Sequence, residues 1–237
     1  VSPTEGVFRI RNRATGQYLT AYLNGSRGKD KAYTSSPDSN NTAQIFLLKQ
    51  REDGSFVIWP QNDSALYCFA YSDSTAAGTP VVKLLTEDER AYFDIFEVRS
   101  GACTIAPTGG DNAGAVLGVT DELSYYSDNL VRFTDYIEDD AAQQWYLEPV
   151  KTEKMSFAYR TTDVKLYSTG NFYVRLIPYN YIQDRVKWTS DDESILMVGE
   201  GGAYTALSPG TVKVTASVDG VSGSFTVTVT EKSAFTW

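Results

Sequence analysis

The first 150 residues repeat at a period of about 47 to 50 residues, and this repetition constrains the fold more than any other feature of the sequence. A strand-like opening recurs three times, as VFRIRN (7–12), SFVIWP (55–60) and ACTIAP (102–107). A second apolar run follows each opening, beginning at Gln17, Ala65 and Ala115. Alternating apolar and polar residues of this kind predict half-buried β-strands.

Each repeat ends in a polar-x-aromatic triplet followed by another alternating run. The triplets are Gln44-Ile45-Phe46, Asp94-Ile95-Phe96 and Gln143-Gln144-Trp145, and their first residues (44, 94 and 143) lie 50 and 49 positions apart. We predict three units, at about residues 6–54, 55–101 and 102–150. Units that cannot bury an apolar face alone are expected to close around a pseudo-threefold axis. We expect Gln44, Asp94 and Gln143 to bond backbone groups, and Trp59 and Trp145 to lie in the core.

These triplets resemble the Gln-x-Trp signature that ends each repeat of the ricin-type β-trefoil lectin domain. Gln143 and Trp145 keep the signature, Phe46 and Phe96 replace its tryptophan, and Asp94 replaces its glutamine. The segment 76–85 (AAGTPVVKLL) is similar to the Gly-Thr-x-Val-x-Leu stretch of the family's middle strand. The resemblance spans about residues 5–150 and implies a β-trefoil for residues 1–150.

The period ends after Pro149, and residues 151–237 read as a second domain of short strands. The segments 186–198 and 204–229 resemble the group 2 bacterial immunoglobulin-like domain, which implies a small β-sandwich. Trp188 is then expected in its core, Pro209-Gly210 before the penultimate strand, and Asp219-Gly220 at the last hairpin. The whole chain is predicted to be all-β, and TEDERAYFDIF from Thr86 is the one stretch that suits a short helix.

Composition excludes several functions. The chain has no histidine, so it has neither a histidine-dependent catalytic triad nor a histidine-ligated metal. Its net charge of −9 disfavours nucleic acid, and no apolar window is long enough for a membrane span. Acidic clusters occur at 87–89, 138–140 and 191–193, and we interpret them as solvated surface. We therefore expect no catalytic residue, cofactor or metal. We expect Cys68 and Cys103 to be reduced thiols in the core, and a single disulfide between them is the alternative.

The residues that hold galactose in sugar-binding trefoils have no evident counterpart in this sequence. The family's aspartate falls near Thr20, Phe69 and Gly118, and its asparagine falls at Ala43, Phe93 and Ala142. The family's stacking aromatic falls near Tyr33, Leu84 and Phe133. Other side chains can bind a ligand reversibly at a solvent-exposed surface, because tyrosine combines an apolar face with a polar hydroxyl. The candidate ligand-binding residues are Tyr18, Tyr22, Asn24, Tyr33, Tyr71, Asp73, Asp121, Tyr125 and Tyr126.

The resemblance implies a non-catalytic, lectin-like accessory protein with an Ig-like spacer, whose partner is a glycan or polysaccharide. It also implies export, to the medium or to a bacterial cell surface, with a gut bacterium among the compatible sources, and other domains of a longer polypeptide as further partners. Weak sites would gain affinity by multivalency. The alternative is a protein–protein interaction or structural surface module without sugar binding, and a carboxylate hydrolase is a third hypothesis.

Overall fold

The computed structural model describes residues 5–22, 31–60, 68–69, 82–83, 92–99, 101–108, 114–123, 128–158, 162–178 and 185–231. The chain divides into two compact units, Val1–Val150 and Lys151–Trp237, each with its own hydrophobic core. Regular structure in the described ranges consists of β-strands and short 3₁₀ turns, which confirms the all-β prediction. Within these ranges no helix has the length and apolar character needed to cross a membrane.

The N-terminal unit contains three sets of four strands among the residues described. The first set is β1 (Gly6–Asn12), β2 (Tyr18–Tyr22), β3 (Lys31–Ser35) and β4 (Phe46–Gln50). The second is β5 (Phe56–Pro60), β6 (Cys68–Phe69), β7 (Val82–Lys83) and β8 (Phe93–Arg99). The third is β9 (Ala102–Pro107), β10 (Ala115–Leu123), β11 (Asn129–Asp135) and β12 (Trp145–Pro149).

The first and fourth strands of the three sets close into a barrel. Antiparallel pairs join β1 to β4, β4 to β5, β5 to β8, β8 to β9, β9 to β12, and β12 back to β1. Every barrel strand is thus paired along both edges, which removes the exposed edges of an open sheet. The second and third strands of each set pair as the hairpins β2–β3, β6–β7 and β10–β11. This threefold pattern is a β-trefoil, as predicted.

One aromatic residue from each set fills the barrel at an equivalent position. It begins the fourth strand and lies opposite the first strand of its own set, in the pairs Phe8–Phe46, Phe56–Phe93 and Cys103–Trp145. Phe46, Phe93 and Trp145 are each at most 1% exposed. Trp145 also donates its indole N–H to the Leu117 carbonyl at 2.8 Å.

The assignment of Phe96 to this position from the sequence is therefore wrong. The register gives Phe93 that role, so the equivalent residues 46, 93 and 145 are 47 and 52 positions apart. Because successive side chains of a strand point to opposite faces, inward Phe93 and Ile95 turn Asp94 and Phe96 outward. Phe96 is 53% exposed. The same strand replaces the short helix considered for this stretch, as far as the structure describes it.

Two glutamines form matching turns in the first and third sets. The Gln44 amide donates to Ser35 Oγ and to the Ser36 carbonyl, both at 2.8 Å, and its oxygen accepts the Asp38 N–H at 3.1 Å. Gln143 makes the same three contacts in the third set, with Thr134 Oγ1 (2.9 Å), the Asp135 carbonyl (2.6 Å) and the Ile137 N–H (2.8 Å). Both side chains are buried, so their hydrogen bonds stabilise the chain reversal before the fourth strand.

Cys103 is a free, buried thiol whose Sγ donates to the Trp145 carbonyl at 3.3 Å. Burial raises its pKa to about 12. Cys103 therefore packs as a small core residue. The side chain of Cys68 lies outside the described residues.

The C-terminal unit also consists of short strands around one core. The described strands are β13 (Lys154–Phe157), β14 (Asp163–Lys165), β15 (Thr169–Asn171), β16 (Val174–Ile177), β17 (Lys187–Ser190), β18 (Leu196–Val198), β19 (Ala203–Ala206), β20 (Gly210–Val218) and β21 (Val221–Thr230). The largest sheet has the order β14-β21-β20-β17, a second has β15-β19-β18, and β13 pairs with β16. Trp188 is buried beside Phe172, with ring centroids 5.9 Å apart. Asp219 and Gly220, with φ of 50° and 86°, form the two-residue turn between β20 and β21.

Candidate functional site

Five of the predicted ligand-binding residues lie outside the described residues, namely Asn24, Tyr71, Asp73, Tyr125 and Tyr126. Tyr22 ends β2, where its backbone pairs with Lys31, and its side chain is likewise not described. The structure therefore locates the side chains of three of the nine candidates: Tyr18, Tyr33 and Asp121.

The hydroxyl of Tyr18 is held by the fold itself. It donates to one carboxylate oxygen of Glu148, while Arg11 Nε donates to the other at 2.5 Å. Burial raises the pKa of Glu148, but the hydrogen bonds from Tyr18 and Arg11 outweigh burial and lower it overall. The same Glu148 contact raises the pKa of Tyr18. Tyr18 therefore ties β2 to β12 and is not positioned as a free ligand contact.

Tyr33 and Asp121 are not brought together with Tyr18 into one site. Tyr33 is half-buried in β3, opposite Thr20 on one side and Leu130 on the other. Asp121 is exposed in β10, where the pairing with β11 shifts between Val119 and Leu123. The candidate residues that the structure describes are thus spread over two hairpins.

The positions of the family's galactose-binding aspartate are filled by packing residues. Thr20 is buried, and its Oγ1 lies 2.8 Å from Ser35 Oγ. A Cβ at Gly118 would lie 3.1 Å from Thr134 Oγ1 and 3.2 Å from Gln143 Cγ, so a carboxylate there would displace the buried glutamine. In the first and third sets, therefore, the usual galactose pocket is replaced by the interior of the turn.

The described acidic clusters organise turns. Asp140 accepts the Ala142 N–H at 2.9 Å and caps the short 3₁₀ turn 141–143. Asp192 accepts both the N–H (3.0 Å) and the hydroxyl (2.6 Å) of Ser194. These bonds lower the pKa of Asp192, the hydroxyl contact most strongly. Cluster 87–89 lies outside the described range.

Three outer faces of the barrel can be compared position by position, because each lies between a fourth strand and the next first strand in the same register. Each face contributes one cross-strand pair to each of two equivalent positions. The pairs at the first position are Glu148–Arg9, Lys49–Val57 and Phe96–Thr104. The pairs at the second position are Tyr146–Arg11, Leu47–Trp59 and Asp94–Ala106. We refer to these surfaces as the β12–β1, β4–β5 and β8–β9 faces. The fold presents the same backbone at all three, and the side chains differ.

The charged side chains of the β12–β1 face are already paired with other groups of the protein. Arg11 pairs with Glu148 and lies over the Tyr146 ring, 4.6 Å from its centroid. Arg9 donates to the carbonyls of Asp38 at 3.0 Å and Ser39 at 2.8 Å. These contacts use the polar groups that a ligand would need.

The β4–β5 face carries Trp59, which the sequence placed in the core. The structure instead leaves it half-buried on the outer side of β5, because inward Ile58 turns its neighbour outward. Trp59 lines a depression of about 620 Å³.

The β8–β9 face holds an open hollow of about 520 Å³, lined by Asp94, Phe96, Val98, Thr104, Ala106 and Tyr136, among others. Phe96 and Tyr136 are 53% and 47% exposed. The Asp94 carboxylate makes neither a hydrogen bond nor an ion pair to any described residue. The hollow thus combines two accessible aromatic rings with one unpaired carboxylate.

The hollow was not predicted from the sequence because Asp94-Ile95-Phe96 resembles the triplets that end the first and third repeats. Period-two alternation shows that Phe93 and Phe96 cannot both face inward on one regular strand, but it does not show which of them does. The sequence does not indicate that Tyr136 lies beside Phe96, because Tyr136 follows β11 of the third set and Phe96 lies on β8 of the second.

Comparison with protein families finds a match within each unit. Residues 1–84 match the ricin-type β-trefoil lectin domain-like family, and residues 151–229 match the group 2 bacterial Ig-like domain. The chain joins a ricin-type β-trefoil lectin-like domain to a bacterial Ig-like domain. The threefold strand pattern of the trefoil extends beyond the matched segment, to β12.

Several solved structures are similar to the trefoil domain. The designed threefold-symmetric protein ThreeFoil is 19% identical over 61% of this chain and 99% of its own, with a TM-score of 0.49. The Rhizoctonia solani agglutinin is 15% identical over 63% of this chain and 99% of its own, with a TM-score of 0.44. The exo-β-1,3-galactanase of Clostridium thermocellum is 16% identical over 63% of this chain and 31% of its own, with a TM-score of 0.48. No curated protein matches the sequence.

Proposed function

We propose that this chain is a non-catalytic carbohydrate-binding protein and that the β8–β9 hollow is its sugar site. The observation that carries the proposal is the Asp94 carboxylate, which has no partner among the residues that the structure describes, beside the exposed rings of Phe96 and Tyr136. The match to a ricin-type lectin-like family supports the same ligand class. We also propose that the Ig-like domain is a spacer and that the protein works outside the cell or at a bacterial surface.

A sugar ring matches the two kinds of group in the hollow. Its C–H face is apolar and suits contact with an aromatic ring such as that of Phe96 or Tyr136. Its hydroxyls are donors, and an ionised carboxylate accepts them in charge-assisted hydrogen bonds that are stronger than neutral ones. The hollow also has the size and the mainly apolar lining, with few polar groups, that small-ligand sites share.

The other two faces show that packing does not require an aromatic residue where Phe96 lies. The equivalent residues are Lys49 and Glu148, both charged. Phe96, Val98 and Tyr136 are all exposed and line the same hollow, and contiguous exposed apolar residues of this kind mark interaction sites.

The experiment is calorimetry of the full chain with neutral oligosaccharides chosen from a glycan array, comparing the wild type with Asp94→Asn and Phe96→Ala. Asp94→Asn keeps the shape and removes the charge, and we expect at least a tenfold weaker Kd, or about 1.4 kcal/mol. Phe96→Ala removes a stacking surface and should have a similar effect.

Glu138→Gln is the matched control, because Glu138 is an exposed trefoil carboxylate that does not line the hollow and is not a candidate ligand-binding residue. If Asp94→Asn and Phe96→Ala bind as the wild type does, the sugar site is elsewhere. If no neutral glycan binds at all, the β8–β9 sugar site is refuted, and if acidic glycans do not bind either, the interaction-module hypothesis takes its place.

A further inference from the structure

The depression on the β4–β5 face differs in chemistry from the β8–β9 hollow. It is formed by Lys49, Val57 and Trp59 on the two strands, by Arg51 in the turn that joins them, and by Tyr92. The lining therefore combines two aromatic rings and two basic side chains with two acidic ones, in a chain whose net charge is −9.

Arg51 is held in place before any ligand arrives. Its guanidinium lies 3.8 Å from the centroid of the Tyr92 ring. Its Nη1 donates to Asp53 Oδ2 at 2.5 Å and to Ser55 Oγ at 3.3 Å. Asp53 is itself fixed by the Ser55 N–H and hydroxyl, at 3.0 and 2.5 Å. Ordering a flexible arginine normally opposes binding, and here the fold has already restricted it.

The remaining donors of Arg51 are available. Within the described part of the chain, its Nε and Nη2 make no hydrogen bond, so up to three N–H groups can still reach an anion. Lys49 is exposed, lies 6.0 Å from the centroid of the Trp59 ring, and has no carboxylate partner among the described residues. The depression thus offers two cations next to an outward tryptophan.

We propose that this depression is a second glycan site and that it selects sugars bearing a carboxylate or sulfate group. Arg51 and Lys49 pair with the anion, and Trp59 contacts the apolar face of the ring that carries it. The proposal rests on the proposed function in that the ligand is a glycan, but it uses none of the residues of the β8–β9 hollow.

Two acidic residues line the same depression and bear on the proposal. Asp53 is occupied by Ser55 and Arg51, and the Ser55 hydroxyl contact is the main cause of its lowered pKa. Glu52 is exposed at the turn and repels an anion. Glu52→Gln is therefore expected to strengthen the binding of acidic sugars and to leave the binding of neutral sugars unchanged.

The test is calorimetric titration of the full chain with oligogalacturonate, a κ-carrageenan oligosaccharide (sulfate groups without carboxylates) and a neutral oligosaccharide of equal length, at low and physiological salt. We expect the acidic ligands to bind at least tenfold more tightly than the neutral one at low salt, and less tightly as salt rises. The first two probes distinguish carboxylate from sulfate as the preferred group.

The variants are Arg51→Gln and Lys49→Gln, for which we expect about tenfold and about threefold weaker binding of the preferred acidic probe. Arg99→Gln is the matched control, since Arg99 is an exposed trefoil arginine paired with Asp139 outside the depression. If Arg51→Gln unfolds the turn, Lys49→Gln still tests the site, because its side chain makes no hydrogen bond in the described residues.

Failure of this proposal and failure of the neutral-sugar site are distinguishable. Acidic binding that survives Asp94→Asn and Phe96→Ala supports the second site, even if no neutral glycan binds. Equal affinity for acidic and neutral probes, measured in the Asp94→Asn and Phe96→Ala variants, overturns the proposal, as does absence of acidic binding. It is also overturned if Arg51→Gln and Lys49→Gln behave like Arg99→Gln.

Discussion

Replacing Phe93 and Phe96 separately by alanine tests the phase of the second repeat. The two residues are three positions apart, and only one can occupy the barrel site shared with Phe46 and Trp145. The structure assigns that site to Phe93, which is 1% exposed, and leaves Phe96 53% exposed. The two substitutions delete the same atoms, so any difference in their effect comes from their environments.

The expected magnitudes follow from burial. A phenylalanine side chain buries about 150–250 Å², which at about 25 cal/mol/Å² corresponds to about 4–6 kcal/mol for full burial. Phe93→Ala also leaves a cavity inside a closed barrel, and we expect a loss of about 3–5 kcal/mol in the free energy of unfolding. Phe96 keeps about half of its surface in water, and its removal opens no enclosed cavity. We therefore expect Phe96→Ala to cost under about 1.5 kcal/mol.

The assay is urea denaturation of the full chain, together with peptide-resolved hydrogen exchange that assigns the lost stability to residues 1–150. Phe93→Leu provides a milder substitution if the alanine variant does not fold. A Phe96→Ala variant as unstable as Phe93→Ala would refute the register, and with it the outward position of Asp94. Equal and small effects would refute the closed barrel core.

Three further predictions concern other parts of the chain. The lowered pKa of Glu148 means that its ionised form contributes stability above the unfolded value, near 4.5, and that this contribution disappears as pH falls through the folded pKa. Urea midpoints from pH 6 to 3 should therefore fall more steeply for the wild type than for Glu148→Gln, and parallel curves would contradict this. Cys103, with its pKa raised to about 12 by burial, should not react with a thiol reagent at pH 8 until the trefoil unfolds, and prompt native labelling at this residue would contradict its burial. Gly202 has φ of +78°, and a Cβ there would lie 2.2 Å from the Phe172 carbonyl oxygen, so Gly202→Ala should lower the stability of the Ig-like domain by more than about 2 kcal/mol. Gly220→Ala, where nothing lies within 4 Å of the added Cβ, should cost about 1 kcal/mol, and urea denaturation of the two glycine variants checks both values.

Local sequence signals predicted most of the fold. The Asp219-Gly220 pair forms the expected two-residue turn because glycine and aspartate accept the positive φ that this turn requires. Trp188 lies in the predicted core because its strand alternates regularly. In both cases the deciding residues are neighbours along the chain, so the sequence contains the information directly.

Features set by distant contacts were not predictable in the same way. The choice between Phe93 and Phe96 depends on pairing of β8 with β5 and β9, which the composition of β8 alone does not determine. Tyr18 was a reasonable ligand candidate until the fold placed Glu148, 130 positions away, at its hydroxyl. Trp59 looked like a core residue by type, and its strand register turned it outward.

The closed barrel explains why the outward side chains differ among the three faces. Inward positions of the three sets must fill one shared interior, so their size and polarity are constrained together, as Phe46, Phe93 and Trp145 show. Outward positions meet only solvent and their immediate neighbours, so each can change independently. The result is a face whose charges form an ion pair, a face with a tryptophan and both basic and acidic side chains, and an aromatic face whose Asp94 carboxylate has no partner among the described residues. The binding that we propose for this trefoil therefore depends on the outer pairs of each strand junction and not on the number of repeats.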